Sequence, residues 1–207
     1  MPKLTRDKGT NTARCPNCDA VLDPIPQREK KCPSCGKDLH VRTNPFKGEK
    51  ILTNYADALS IDAISNLGIK EKEYRAESKE LAHKLNMATP FIRDIVWGII
   101  SRRLLDSFKR KDWQQAKSLY WQQVYMLYKQ GRDYSRNLQE AARCDLKHDD
   151  SERIKKIEIL VADSSCNKCK ILDGRQITIK EALRTMPIPV KDCERGWCRC
   201  TYAPVIS

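Results

Sequence analysis

The chain has 207 residues, room for one or two compact domains with a real core. Its 40% hydrophobic and 32% charged residues exclude an intrinsically disordered polymer. The formal net charge of +12 favours polyanionic partners, and it is spread along the chain: about +5 over 1–50, −1 over 51–100, +4 over 101–150 and +4 over 151–207.

Residues 1–13 read as a flexible polar tail. "MPKLTRDKGTNTARC" has charge but no apolar segment of the kind a secretory signal needs, so a cytoplasmic location is expected. The longest apolar patch, "FIRDIVWGII" at 91–100, is interrupted by Arg93 and Asp94, so it reads as a core helix and no membrane partner is expected. In a reducing compartment, the ten cysteines, gathered mostly in Cys-x-x-Cys clusters, read as metal ligands rather than disulfides.

The first cluster, over 14–42, supplies Cys15, Cys18, Cys32 and Cys35 as two Cys-x-x-Cys pairs. Two intervening residues let a tight turn aim both sulfurs at one ion, and Gly36 permits the backbone angles such knuckles use. Two knuckles close a tetrahedron, and zinc favours sulfur in that geometry, with iron as the rival. The segment has few large apolar residues, so the ion must take the place of a core. This stretch resembles a short zinc ribbon. Arg28, Lys30, Lys31, Lys37 and Arg42 make it basic, while Phe, Tyr and Trp are absent from 14–44. Any nucleic-acid contact there is therefore expected to address phosphates rather than stack bases. A protein-binding or structural role is the alternative.

Residues 43–53, with Pro45 and Gly48, read as a linker. From 54 to 150 the pattern is helical. A charged amphipathic helix is expected over about 70–86, with Tyr74, Leu81 and Leu85 on its apolar face. A second opens at Thr89 and Pro90 and places Phe91, Ile92, Ile95, Val96, Ile99, Ile100, Leu104 and Leu105 at helical spacing. A third opens at Asp112 and ends at Gly131, and a fourth covers about 133–147. Trp97, Trp113 and Trp121 read as core, and Cys144 as a buried thiol. "SRRLLDSFKRKDW" at 101–113 reads as a solvated basic face.

Residues 151–207 form a second cysteine module with short strands at "KIEILVA" and "GRQITI" and a short helix at "KEALRTM". Cys166 and Cys169 make one knuckle. Cys193, Cys198 and Cys200 offer three more sulfurs for the two remaining places. Cys198 and Cys200, two apart, would share one face of an extended strand, so either can reach the ion. Trp197 is placed to pack over the site or face a partner.

Asp163, Cys166, Cys169, "LDG" at 172–174, the prolines at 187–189, "CRC" at 198–200, Pro204 and Val205 together resemble the C-terminal cysteine module of phage Mu F-like minor head proteins and related bacterial and prophage proteins. That resemblance covers about a fifth of the chain and implies a metal-holding module with a head-assembly or protein-interaction role. Such modules commonly carry a histidine shortly before "CRC"; here Cys193, further upstream, takes that place, and both residue types bind zinc.

The expected fold is mainly α, a helical centre flanked by two small zinc-binding modules, the C-terminal one with short β-strands. The expected cofactor is zinc, two ions, whose four-thiolate cages would lower the charge to roughly +8. The expected function is non-catalytic binding, with nucleic acid the foremost partner and a phage-related assembly role the alternative. A zinc enzyme is disfavoured, because His40, His83 and His148 stand apart and no His-x-Glu of the deaminase kind occurs.

Overall fold

The computed structural model describes residues 12–149, 154–195 and 198–205. The chain divides into two compact units, Met1–Ile99 and Ile100–Ser207. The expected tail lies outside the described residues except for its last two, and Ala13 is already a buried strand residue. Trp197 also lies outside them.

The first unit opens with two short hairpins. β1 (Ala13–Arg14) pairs antiparallel with β2 (Val21–Leu22), and β3 (Lys30–Lys31) with β4 (Asp38–Thr43). β5 (Lys50–Thr53) then pairs with β4, giving the sheet order β3-β4-β5. This corrects the expected linker over 43–53, because its second half is a strand with Ile51 and Leu52 buried. Pro45 and Gly48 punctuate a hairpin turn instead. The Asn44 side-chain oxygen accepts from the Phe46 and Lys47 N–H groups at 3.0 and 3.2 Å, and Gly48 takes φ +72°.

Helix α1 (Tyr55–Asn66) starts where Asn54 caps it, accepting from the Asp57 N–H at 2.9 Å. Arg42 on β4 bonds Asp62 of α1 at 2.8 Å and Glu29 at 2.6 Å, fastening strand, loop and helix together. α2 (Glu71–Leu85) buries Tyr74 but leaves Leu85 exposed, so its apolar face is shorter than expected.

α3 (Ile92–Arg110) begins later than the Thr89–Pro90 signal indicates. The Phe91 carbonyl accepts the first helical bond, from Ile95 N–H at 3.2 Å. Phe91 stays outside, with the Arg93 guanidinium 4.9 Å from its ring centre. Ile92, Ile95, Val96, Ile99, Ile100 and Leu104 are buried as the spacing predicts, while Leu105, about 100° further round the helix, is exposed. The division between the units falls inside this helix, so the helices expected as one centre are shared between them.

The second unit is built on a helical hairpin. α4 (Trp113–Lys129) is capped by Asp112, whose side chain accepts from Gln115 N–H at 3.0 Å. It ends as expected at Gly131, which takes φ +66°; Arg132 N–H bonds the Leu127 carbonyl and Gly131 N–H the Tyr128 carbonyl, both at 3.0 Å. α5 (Ser135–Asp149) returns antiparallel. Lys117 near the start of α4 meets Asp145 near the end of α5 at 2.6 Å, and Asn137 bonds Gln123 at 2.7 Å. Trp97, Trp113 and Trp121 are half-buried rather than core residues, and the Lys147 ammonium lies 4.7 Å from the Trp113 ring centre.

β6 (Lys156–Leu160) alternates outward and inward residues and forms the middle of an antiparallel sheet ordered β7-β6-β8, with β7 at Gln176–Thr178 and β8 at Thr201–Val205. Two short helices complete the unit, α6 (Asn167–Lys170) and α7 (Ile179–Thr185). Ile157, Ile159, Ile177, Ile179, Ala182, Ile188 and Tyr202 make its core, and Leu146 of α5 belongs to the same cluster. The C-terminal module is thus continuous with the helical hairpin. The fold is mainly α, with small antiparallel sheets and cysteine clusters toward both ends of the chain. Among the described residues no helix is long and apolar enough to cross a membrane.

Candidate metal centres

The structure brings Cys15, Cys18, Cys32 and Cys35 together with all four sulfurs within 4.8 Å of one another. Cys15 Sγ lies 4.0 Å from Cys35 Sγ, and Cys18 Sγ 3.9 Å from Cys32 Sγ. Disulfide sulfurs sit about 2.0 Å apart. Four sulfurs about 2.3 Å from one zinc at tetrahedral angles sit about 3.8 Å apart. The spacing fits a metal cage.

Two copies of one local device build this cage. In the first, Cys15 N–H bonds the Ala20 carbonyl and Asp19 N–H bonds the Cys15 carbonyl, both at 2.9 Å. In the second, Cys32 N–H bonds the Lys37 carbonyl at 2.8 Å and Gly36 N–H bonds the Cys32 carbonyl at 2.9 Å. The equivalent residues Asp19 and Gly36 both take the left-handed conformation, φ 61° and 68°. "ARCPNCDAVL" and "KKCPSCGKDL" are a repeat, offset by 17 residues, which places Cys15 on Cys32, Cys18 on Cys35 and Leu22 on Leu39. Sequence reasoning identified Gly36 but missed Asp19 and the repeat, although the shared Cys-Pro-x-Cys carries the signal. Beneath the sulfurs, Ala13, Leu22, Leu39 and Leu52 form a small core with Cys15 and Cys32.

The second cluster is different. Cys166, Cys169 and Cys193 form one group of sulfurs within 4.8 Å, and Cys169, Cys198 and Cys200 form another, so Cys169 belongs to both. Cys166 and Cys169 are 3.6 Å apart, each lies 3.9 Å from Cys193, and Cys169 lies 3.9 Å from Cys198. Cys166 caps α6, so a single helical turn stacks Cys169 over it. The "LDG" turn supports that position from behind: Asp173 accepts from Val161 N–H at 3.1 Å, and Gly174, at φ +70°, bonds the Ile159 carbonyl at 3.0 Å.

Val190 N–H donates to Cys198 Sγ at 3.4 Å, and Cys198 is buried. Cys200 is only part-buried. Cys198 and Cys200 both group with Cys169, and either could complete a four-sulfur set with Cys166, Cys169 and Cys193. Val190 was not legible as a supporting residue.

Electrostatics separate the thiols within each cluster. The Cys35 and Ser34 N–H groups bring Cys32 down to about 6. At Cys18 the Ala20 N–H favours the thiolate, but the crowding sulfurs, Cys15 first among them, with a smaller part from desolvation, push the thiol up to about 12. In the second cluster the Glu194 and Cys169 N–H groups bring Cys166 down to about 7. Burial, followed by the sulfurs of Cys166 and Cys200, pushes Cys169 up. Burial also holds Cys200 up at about 11. In each cluster one thiol ionises more readily, Cys32 or Cys166, while Cys18 in the first and Cys169, Cys193 and Cys200 in the second resist ionising. A dication relieves that resistance and releases the protons.

The second cluster packs on the helical hairpin, against Val124 and Leu138, with Trp121, Tyr134, Val161 and Val190 around it. Cys144 takes no part in either cluster. It is buried in α5, and burial raises its thiol to about 11. No family model, no curated protein and no solved structure matches this chain.

Proposed function

We propose that this chain is a non-catalytic, zinc-stabilised binding protein whose partner is nucleic acid. The all-sulfur donor sets suit closed structural zinc, since catalytic zinc commonly uses His or carboxylate ligands and keeps a place open. One observation carries the partner: Arg28, Lys30, Lys31 and Lys37 are all exposed on the N-terminal ribbon, and no carboxylate among the described residues pairs with them. Arg42, the fifth cation of the ribbon, is engaged by Glu29 and Asp62 and is set aside. A rigid cage presenting unpaired cations suits phosphates.

Binding of the zinc-loaded protein to single-stranded and duplex DNA and to RNA, at about 50 and 200 mM salt, tests this proposal. Affinity should fall steeply with salt; absence of binding at low salt overturns it. A phage-related assembly role is the second reading. It is favoured by the meeting of residues that carry that resemblance: Cys169 lies 3.6 Å from Cys166 and 3.9 Å from Cys198, and Asp173 of the "LDG" turn bonds the chain just before them. It predicts a protein partner with little salt dependence.

A further inference from the structure

Aromatic residues are missing from the N-terminal ribbon, but the second unit displays them beside cations. Tyr125 and Tyr128, one helical turn apart on α4, are 39% and 45% exposed. The Lys129 ammonium lies 5.7 Å from the Tyr125 ring centre. Tyr134, at the start of α5, meets Tyr128 edge-on with ring centres 5.7 Å apart. Tyr134 also packs against the sulfur cluster, and with Lys191 it lines a cleft of about 40 Å³ that reaches Cys193 and Cys198. Arg132 is exposed in the turn between the helices.

Three carboxylates accompany these groups: Asp133 in the turn, and Asp192 and Glu194 directly after Lys191 in the chain. The Asp133 Oδ1 accepts the Ser135 N–H at 2.9 Å, and that bond, with a smaller part from Lys191, holds its carboxyl below the usual aspartate value. Lys129, Arg132 and Lys191 supply the cations beside this row of rings. Ring faces beside cations match the two parts of an unpaired strand, the bases and the phosphates. A duplex hides its base faces and gains only from the cations.

We propose that the α4–α5 turn and the adjoining cysteine cage form a stacking platform for single-stranded nucleic acid, with Tyr125 and Tyr128 supplying the ring faces. This rests on the nucleic-acid reading above and adds the strand type and the surface. The cage fixes Tyr134, which braces Tyr128 from the side, and Val190 beside Lys191.

The test is equilibrium binding of the zinc-loaded full chain to labelled oligothymidylate and to a duplex of equal length. The variants are Tyr125→Ala/Tyr128→Ala, Tyr125→Phe/Tyr128→Phe and, on the ribbon, Lys30→Ala/Lys31→Ala. The Ala pair should weaken single-strand binding about tenfold or more and duplex binding far less. The Phe pair should retain single-strand binding, because it keeps the rings. Circular dichroism should be unchanged in both, since the two tyrosines lie outside the buried core. Equal losses on both nucleic acids, no loss on the single strand, or a Phe pair as weak as the Ala pair would overturn the platform. If the wild-type chain binds neither probe, the nucleic-acid reading falls with it. If it binds both, and only the ribbon variant matters, the platform alone falls.

Discussion

The two sulfur clusters use the same ligand chemistry but relate to their surroundings in opposite ways. The N-terminal cage draws all its sulfurs from two copies of a local turn within 21 residues, Cys15 to Cys35, and sits over a handful of small apolar side chains. The C-terminal cluster gathers sulfurs spread from Cys166 to Cys200 and rests on Val124 and Leu138 of a helical hairpin. In the first region the proposed ion would have to stand in for most of a core. In the second, a separate core of Ile157, Ile159, Ile177, Ile188 and Tyr202 exists beside the sulfurs. On the zinc proposal, the contrast separates a fold that would depend on its ion from a fold that an ion would tighten.

Metal removal probes this contrast most strongly. Zinc-binding free energies of about 10–16 kcal/mol in zinc-finger peptides exceed anything the small N-terminal core can supply. Chelation should therefore melt β1 to β4 while leaving the β7-β6-β8 sheet and the α4–α5 hairpin protected. Amide hydrogen exchange with and without a chelator reads this directly. Equal loss of protection in both regions would erase the distinction. The Cys15→Ser/Cys18→Ser variant should reproduce the N-terminal loss alone, with helical circular dichroism mostly intact.

The next largest effect distinguishes the thiols inside the C-terminal cluster. If Cys198, which accepts the Val190 N–H, is the fourth ligand, Cys198→Ser should lower bound zinc from two ions per chain to one. Cys200→Ser should keep both. Native mass spectrometry counts the ions. The reverse result would assign Cys200, and retention of both ions in each variant would show that the two thiols substitute for one another.

Much of this was legible because the signals are local. The Asp112 cap, the left-handed Gly131 and the alternation in "KIEIL" each act within a few residues of where they are read. The failures come from tertiary competition. Gly48 and Pro45 look the same in a linker and in a hairpin turn; what makes β5 a strand is its pairing with β4, which the local sequence does not display. Leu105 and Phe91 fit the helical period yet face outward, because periodicity gives a face and not its width. The gathering of nine cysteines in two clusters was readable by type and spacing. The supports around them, Val190 and Leu138, were not, since contacts between residues distant in sequence place them there.

A smaller effect tests the symmetry of the N-terminal knuckles. Gly36 and Asp19 occupy equivalent left-handed positions, and a Cβ at Gly36 would meet nothing within 4 Å. Gly36→Ala therefore adds conformational strain without a clash, a cost of about 1–2 kcal/mol. Zinc-buffered urea melts should show that loss in the ribbon. A loss well above it would mean that Gly36 makes room for something beyond its own backbone.

The smallest effect concerns Glu29, which Arg42 and then His40 hold charged, lowering its carboxyl below the ordinary glutamate value. A depressed folded-state pKa contributes stability that is complete above the unfolded value, near pH 4.3, and fades as pH falls through the folded one. Glu29 is half-exposed, so solvent screening limits the gain to less than about 1 kcal/mol. Acid also protonates the cage thiolates, so the raw acid melt mixes two causes. Subtracting the Glu29→Gln variant cancels the cage contribution common to both proteins. The remaining difference should be small and positive at neutral pH and should vanish in acid. A difference that persists below the carboxyl midpoint would show that Glu29 acts through packing, and that the ribbon is held by more than its ion and its local turns.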